Sequence, residues 1–263
     1  MLTEHTVAAA ARAAGIVAPI HFAEVTGSTN SDAMALAAQG APEWTVVVAA
    51  KQEAGRGRLG RTWVAPSGSS LHVSVILRPS ADPADGPVFS LVAAVAAAEA
   101  CGVACGVDVR CKWPNDLLVG NRKLGGILAE ASVEGTRLRA VVVGTGINVH
   151  QREEDFPAGL RAPATSIAIE GGRADIPGLL QAYLGALRRL CEEGAPGLAE
   201  RVAGPYRERC ETLGRTVEVS TGSGAQVRGR AVDLGPRGEL VVETASGRRT
   251  VTSGEVVHLD PAS

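Results

Sequence analysis

The dipeptide Gly120-Asn121 constrains what this chain can fold into more than any other feature. It supplies tight-turn chemistry between Leu117-Leu118-Val119 and a strand-like run from Arg122 to Glu130, so the chain doubles back on itself. Such a hairpin rules out a strictly parallel alternation of strands and helices. Further strand-like runs cover His21 to Val25, Thr45 to Gln52, Leu71 to Leu77 and Val107 to Lys112. Another, Leu138 to Val143, leads through Gly144-Thr145-Gly146 into Ile147-Asn148-Val149. Helical stretches fall at Thr6 to Ala14, Asn30 to Gln39, Val88 to Val103, Ile176 to Glu193 and Gly197 to Arg209. The fold class is α+β, a mixed β-sheet with covering helices.

From Leu213 onward the texture changes. Short β-rich runs (Thr216–Val219, Gln226–Val232, Leu240–Thr244, Thr250–Thr252, Val256–Leu259) are divided by Gly222-Ser223-Gly224, Gly235-Pro236-Arg237-Gly238 and Ser246-Gly247. Strands this short and evenly punctuated predict a small barrel of about fifty residues. The expected division is a short N-terminal extension (1–20), a large domain (21–209) and a C-terminal barrel (210–263).

A net charge of −2 gives no global attraction to nucleic acid or an anionic membrane, so any cationic function must be local. The five cysteines are odd in number and lack metal-ligand spacing; Cys101 and Cys105, four apart on a helix, read as small buried thiols. No signal peptide is evident, and the most apolar run, Phe89 to Ala100, is interrupted by Glu99 and too short to span a bilayer. A reduced, cytoplasmic protein is expected.

The local cation is easy to find. Lys51 to Arg61 carries four cationic side chains against one carboxylate, with Gly55, Gly57 and Gly60 spaced among Arg56, Arg58 and Arg61. Glycine leaves backbone N–H groups open to anionic oxygens, and arginine adds a charged planar fork that matches carboxylate or phosphate. Gly55 to Gly60 also fits Gly-x-Gly-x-x-Gly, but a dinucleotide site needs a helix next, and Thr62-Trp63-Val64-Ala65-Pro66 shows no helical period. A solvated basic loop is the plainer alternative. With three glycines and mutually repelling arginines, the loop is expected to be mobile until an anion sits in it, unless carboxylates such as Glu53 or Asp116 pin it.

Three further clusters stand out. Thr26-Gly27-Ser28-Thr29-Asn30-Ser31-Asp32 holds far more polar groups than one helix N-cap requires, which points to Ser28 and Thr29 also holding a ligand. Lys112-Trp113-Pro114-Asn115-Asp116 packs a cation, an aromatic plane, an amide and a carboxylate around a proline, although an ordinary turn would use similar residues. Lys123 leads an apolar strand with Gly125-Gly126, where a ligand or another backbone can approach closely.

Taken in order, Ser28-Thr29-Asn30, Gln52 with Gly55-Arg56-Gly57-Arg58-Leu59-Gly60-Arg61, Lys112-Trp113-Pro114-Asn115-Asp116, Lys123-Leu124-Gly125-Gly126-Ile127-Leu128 and Gly144-Thr145-Gly146-Ile147-Asn148 resemble the motifs of biotin–protein ligases. The loop together with Lys-Trp-Pro-Asn-Asp makes the resemblance specific. One local departure is Gly125, where many members carry alanine, a change expected to be harmless.

The resemblance implies a class II synthetase-like biotin/lipoate ligase domain followed by an SH3-like barrel. It implies ATP, Mg²⁺ and biotin as reactants, and a biotin carboxyl carrier domain of acetyl-CoA carboxylase or a related carboxylase as acceptor. Biotin would be held by Ser28, Thr29, Asn30, Gln52, Gly55, Arg56, Gly57, Arg58 and Lys123, and the nucleotide by Arg56, Arg58, Arg61, Trp63, Lys112, Asn115 and Asn148. Lys123, Arg58 and Asp116 would carry the chemistry, with Asp116 serving either the acceptor lysine or Mg²⁺. The implied form is monofunctional, without an N-terminal DNA-binding domain, a specific DNA target or a membrane; monomer and homodimer both stay open. Lipoate–protein ligases and octanoyltransferases are similar in fold but usually lack the arginine loop. A biotin-responsive repressor would need a helix-turn-helix unit, for which the stretch before the motifs offers little room.

Overall fold

The computed structural model describes residues 2–160, 162–192, 197–222 and 224–259; Glu193, Ser223 and the end of the expected barrel, 260–263, lie outside them. In chain order the elements are α1 (Glu4–Ala13), β1 (Ile20–Thr26), α2 (Thr29–Ala38), β2 (Val46–Gln52), the two-residue strands β3 (Gly55–Arg56) and β4 (Thr62–Trp63), and β5 (Ser70–Leu77). Then come α3 (Val88–Ala100), β6 (Arg110–Lys112), β7 (Asp116–Val119), β8 (Arg122–Glu134), β9 (Arg137–Asn148), α4 (Ile176–Glu192) and α5 (Leu198–Arg209). The tail adds β10 (Thr216–Ser220), β11 (Gln226–Leu234), β12 (Leu240–Thr244), β13 (Gly247–Val251) and β14 (Glu255–His258).

Seven strands form one mixed sheet in the order β1-β2-β5-β9-β8-β7-β6, with β1 and β2 parallel and the other neighbours antiparallel. The strand β5 shows why the sheet has two different faces. All eight of its residues are buried, yet they alternate in chemistry. Leu71, Val73, Val75 and Leu77 join the main core with α3 and α4, whereas Ser70, His72, Ser74 and Ile76 point the other way, as the two-residue period of a strand requires. On that second face α2 covers one end of the sheet, closing Ala33 and Ala37 over Val47, Ile76, Ala140 and Val142. The uncovered remainder of the polar face is the trough described below.

The run Pro83–Cys105, at 23 residues, is long and apolar enough to cross a bilayer, which corrects the expectation that nothing here is. It outlasts the sequence estimate because Cys101–Cys105 continues α3 as a wide π turn past Glu99, and Glu99 is paired with Arg189 of α4. Its burial among other elements is that of a core helix. At the N-terminus, Thr3 and Thr6 cap α1 reciprocally, and Val7, Ala10 and Ala11 are buried in the main core. The described residues ahead of β1 therefore share that core through Leu2, Val7, Ala10, Ala11 and Ile16.

The tail is a five-stranded antiparallel sheet in the order β13-β12-β11-β10-β14. It is fastened to the larger sheet through the Lys112-Trp113-Pro114-Asn115-Asp116 segment. Trp113 is buried, its indole N–H donates to the Gly238 carbonyl (2.9 Å), and its backbone N–H donates to Thr212 Oγ1 (3.0 Å). Cys111 and Cys210 pair backbone to backbone beside it.

Candidate active site

The trough owes its depth to register. Ser74 of β5 pairs with Gly144 of β9, which pairs with Leu128 of β8; the next row is His72, Gly146 and Gly126. Directly paired residues share a face, so bare backbone lies in the middle of each row. A Cβ at Gly144 would lie 2.0 Å from Asn30 Oδ1, and one at Gly146 would lie 3.1 Å from the Trp63 ring. Asn30 and Trp63 thus rest on the sheet where side chains would otherwise stand. Gly125 alternates to the opposite face. A Cβ there would meet the Gly146 carbonyl oxygen at 2.5 Å, so the glycine this chain carries suits its backbone and an alanine would need β9 to shift.

One end of the trough is neutral and buried. Ser28 stands at the N-cap of α2 but makes no capping bond, so its hydroxyl is not spent on the helix, although the residue is only 4 % exposed. The Thr29 amide and hydroxyl both donate to Gln52 Oε1 (2.8 and 3.1 Å). The Ser74 hydroxyl shares its proton between Asn30 Oδ1 (2.6 Å) and Thr29 Oγ1 (2.8 Å). Asn30 spends its own hydrogens on the Leu128 carbonyl (3.0 Å) and Glu130 (2.8 Å). Ser28, Thr29 and Gln52 can face a ligand from here, and Asn30 is bonded to Ser74, Leu128 and Glu130.

The other end is cationic. β3 and β4 pair as a two-residue ladder, Gly55 with Trp63 and Arg56 with Thr62, and the Gly57 N–H donates to the Arg61 carbonyl (2.7 Å). Leu59 at the tip is held at φ 57°, an unusual conformation for leucine, with its side chain exposed. The loop arginines have partners of their own. Arg56 forms a bidentate pair with Glu130 (3.0 and 2.6 Å), and Arg61 pairs with Glu255 of β14. Arg58 donates to Asn115 Oδ1 (3.2 Å) and approaches the Gly254 carbonyl (3.5 Å). Burial pushes the Arg58 guanidinium below its usual range, Asp116 opposing and Arg61 reinforcing the shift. Together the loop, Leu128 and Glu130 line a cavity of about 470 Å³.

At the same cationic end, Lys123 donates to Asp116 Oδ1 (2.5 Å), and both groups hang over Gly126 at ordinary contact distance. The strand start that carries Lys123 is braced from outside the motifs: its N–H donates to the Pro163 carbonyl (2.7 Å), and its carbonyl accepts from Thr165 (2.9 Å). Lys112 is half-buried, and its ammonium makes no ion pair among the described residues. Burial lowers its pKa, with Asp116, Lys123, Glu255 and Arg61 as charged neighbours.

Two of the expected nucleotide contacts are engaged elsewhere. Asn115 bridges Arg58 and the Ile127 carbonyl (2.9 Å). Asn148, 5 % exposed, donates to the Thr165 carbonyl (2.9 Å) and accepts from Gln151 (2.9 Å). Trp63 donates its indole N–H to His72 Nε2 (3.3 Å). Burial pushes the His72 imidazole down to about 4, only partly offset by the Ala49 backbone, so the ring is neutral at pH 7 and able to accept. Sequence reasoning missed Ser74, His72, Glu130 and Glu255. The first two carried a usable signal, polar residues at every second position of an otherwise apolar strand.

Comparison with known proteins agrees with this geometry. The Biotin/lipoate A/B protein ligase family matches residues 22–148, and the biotin protein ligase C-terminal domain matches residues 212–259. The biotin–[acetyl-CoA-carboxylase] ligase of Mycobacterium tuberculosis is 36 % identical over 248 residues, covering 89 % of this chain and 86 % of its own length. The bifunctional ligase/repressor BirA of Bacillus subtilis is 34 % identical over 236 residues, covering 89 % and 72 %. Among solved structures, a biotin protein ligase from Aquifex aeolicus in complex with biotin and ATP superposes with a TM-score of 0.72 at 26 % identity, covering 91 % of this chain and 97 % of that one. On its trough, its loop and these matches across most of its length, the chain belongs to the biotin–protein ligase family.

Proposed function

We propose that the chain joins biotin to ATP as biotinyl-5′-adenylate and then passes biotin to a lysine of a biotin carboxyl carrier domain. One observation carries the reading: a single glycine-floored trough has neutral hydrogen-bonding groups at one end and cations at the other. Biotin has the same polarity along its length, a ureido ring at one end and a carboxylate at the other.

Ser28, Thr29 and Gln52 meet the ureido group, with Asn30 and Ser74 fixing their positions. In the first half-reaction a biotin carboxylate oxygen attacks the α-phosphorus of ATP, and the bond to the β-phosphate oxygen breaks as pyrophosphate leaves. Two anions must approach each other, so preorganised cations are what lowers the barrier. Arg56, Arg58 and Lys123 supply them, with Gly55 and Gly57 letting the backbone come close; Arg61 and Lys112 serve the departing phosphates. Trp63, flat on Gly146, offers a wall between the biotin tail and the nucleotide. Asn115 acts through Arg58, and Asn148 acts by holding the end of β9.

In the second half-reaction the carrier lysine nitrogen attacks the biotinyl carbonyl, the bond to the phosphate oxygen breaks, and AMP leaves. The lysine must lose a proton, and Asp116 is placed to take it once Lys123 has turned to the anions. Mg²⁺ would neutralise phosphate charge, but the described residues contain no cluster of three potential metal ligands. Asp116, the one carboxylate proposed for it, already faces Lys123, Lys112 and Arg58. An Mg²⁺ arriving with ATP would take most of its ligands from phosphate oxygens and water, with Asp116 as the carboxylate able to face it, and no step above runs through one. Residues 21–209, with α1 packed on them, form the catalytic unit in this reading and 210–259 the accessory one; the cytoplasm is its proposed location.

The test is incubation with ATP, Mg²⁺, labelled biotin and a carrier domain. Label on the carrier lysine is expected; transfer of lipoate but not biotin would reassign the substrate. In a gel shift, weak attraction that disappears as salt rises is expected from the arginine loop, and operator-specific binding near physiological salt would add a second function.

A further inference from the structure

Glu130 lies outside every motif, yet the two ends of the trough meet at its carboxylate. It stands on β8 opposite Val142, on the trough face. Arg56 grips both its oxygens, at 3.0 and 2.6 Å. The oxygen nearer to Arg56 also accepts from Asn30 Nδ2 at 2.8 Å, across a hundred residues of sequence. Asn30 is 3 % exposed and is locked in turn by the Leu128 carbonyl and the Ser74 hydroxyl. Ser74 continues to Thr29, and Thr29 to Gln52. An unbroken series of hydrogen bonds therefore runs from the ureido-facing groups to the first arginine of the loop.

An ion pair between exposed side chains contributes little to stability and is usually incidental. Here the Arg56 and Glu130 side chains are 42 % and 28 % exposed, but Glu130 is clamped from beneath by a buried amide. That clamp fixes the direction in which the guanidinium points, and direction is what a bidentate donor needs. We propose that Glu130, held by Asn30, is a positioning residue that aims Arg56 at the reacting anions and ties that aim to the ureido end of the site. The proposal rests on the reading that this trough makes biotinyl adenylate.

Two assays on the full chain separate the possibilities: pyrophosphate release from biotin and ATP, and transfer from supplied biotinyl-5′-adenylate to a carrier domain. Glu130→Ala is expected to slow pyrophosphate release about 10–100-fold, the scale of a misplaced catalytic group, mainly in kcat and not in the KM for biotin. Transfer from supplied adenylate should fall far less. If Glu130 acts only through Arg56, the double variant Glu130→Ala/Arg56→Ala should match Arg56→Ala alone within about 2-fold, because coupled residues are not additive. Asn30→Asp should reproduce the defect by setting carboxylate against carboxylate, and adding Glu130→Gln should restore part of the rate, since a glutamine can donate to Asp and still accept from Arg56. Independent, multiplying losses from Glu130→Ala and Arg56→Ala would overturn the proposal, as would equal losses in both assays or a Glu130→Ala enzyme of normal rate. A wild-type protein inactive with biotin and ATP would instead overturn the functional reading beneath it.

Discussion

The two ends of the trough, read as the biotin site proposed above, would recognise their ligand by opposite means. At the ureido end, Thr29, Asn30, Ser74 and Gln52 bond one another beneath the surface, and few of their groups can move. At the anion end, Arg56, Arg58 and Arg61 reach out on long side chains and are steadied by groups from elsewhere: Glu130 on β8, and Glu255 and Gly254 in the C-terminal sheet. The contrast follows from desolvation. A neutral ligand group gains only modestly from each hydrogen bond, so the site must be prearranged, and a buried donor left unmatched is costly. An anion gains more from each charge-assisted bond, so its donors can stand on partly exposed side chains as long as neighbouring groups fix their direction. Glu255 offsets the charge of Arg61, while Glu130, clamped by Asn30, keeps Arg56 aimed at the anion.

Lys123 tests the anion end most severely, because it shares Asp116 with Arg58 and Lys112 there. Lys123→Ala is expected to lower adenylate formation by about 10²–10³-fold, as losing one preorganised donor does. Its pair with Asp116 is partly exposed, so stability should change by no more than about 1 kcal/mol. Pyrophosphate release and thermal melting read the two effects. Near-normal turnover would leave Lys123 a solvated strand end, and a large fall in melting temperature would make it structural.

His72 sits beneath the join of the two ends and gives a pH test. Its folded pKa of about 4 lies below the ordinary value of 6.5. As pH falls from 6.5 the unfolded chain takes up the proton and the folded protein does not, so stability is lost progressively down to about pH 4, where both forms bind it. The window of 2.5 units corresponds to about 3 kcal/mol. His72→Gln keeps an acceptor for Trp63 without titrating. Urea unfolding from pH 7 to pH 4 should be less acid-sensitive in the variant by that amount; parallel curves would mean that His72 is protonated in the fold.

What could be read beforehand follows the same division. The loop, Lys112-Trp113-Pro114-Asn115-Asp116 and Lys123 are legible because their chemistry is concentrated in consecutive residues. Glu130 and Glu255 are not, because each gains its role from register or domain contact with an arginine many positions away. Trp113 was visible as an aromatic in a polar cluster, but its work as a peg for the C-terminal sheet depends on Gly238, which no local pattern announces. The strands β8 and β9 run on to Glu134 and through Gly144-Thr145-Gly146. Composition alone marks those stretches as breaks, whereas in the sheet the glycines are the floor.

Ser74→Ala tests whether the ureido end is a prearranged unit. The change strips a donor from Asn30 Oδ1 and Thr29 Oγ1 in a buried setting, and should cost about 1–3 kcal/mol of stability. The KM for biotin should rise more than kcat falls. Arg61→Ala, at the other end, should leave stability within about 0.5 kcal/mol, as exposed substitutions usually do. Equal destabilisation by the two would erase the contrast between the ends.

The smallest effect concerns the arginine loop. Gly55 to Arg61 is held by a two-residue ladder and by ion pairs whose arginines are close to half exposed. Exposed pairs weaken with salt, since the screening length drops from about 10 Å at 0.1 M to about 3 Å at 1 M. Against them stands the entropy of ordering the loop, about 1–2 kcal/mol per residue. Amide exchange across Gly55 to Arg61 should therefore quicken as salt rises, while the amides of Thr29 and Ser74 stay unchanged. Adding a non-hydrolysable adenylate analogue should slow the loop again, because phosphate and carboxylate oxygens give Arg58 and Arg61 stronger, less exposed partners while Glu130 keeps its hold on Arg56. If loop exchange ignores both salt and analogue, the loop is as prearranged as the ureido end, and the two regions differ in charge alone.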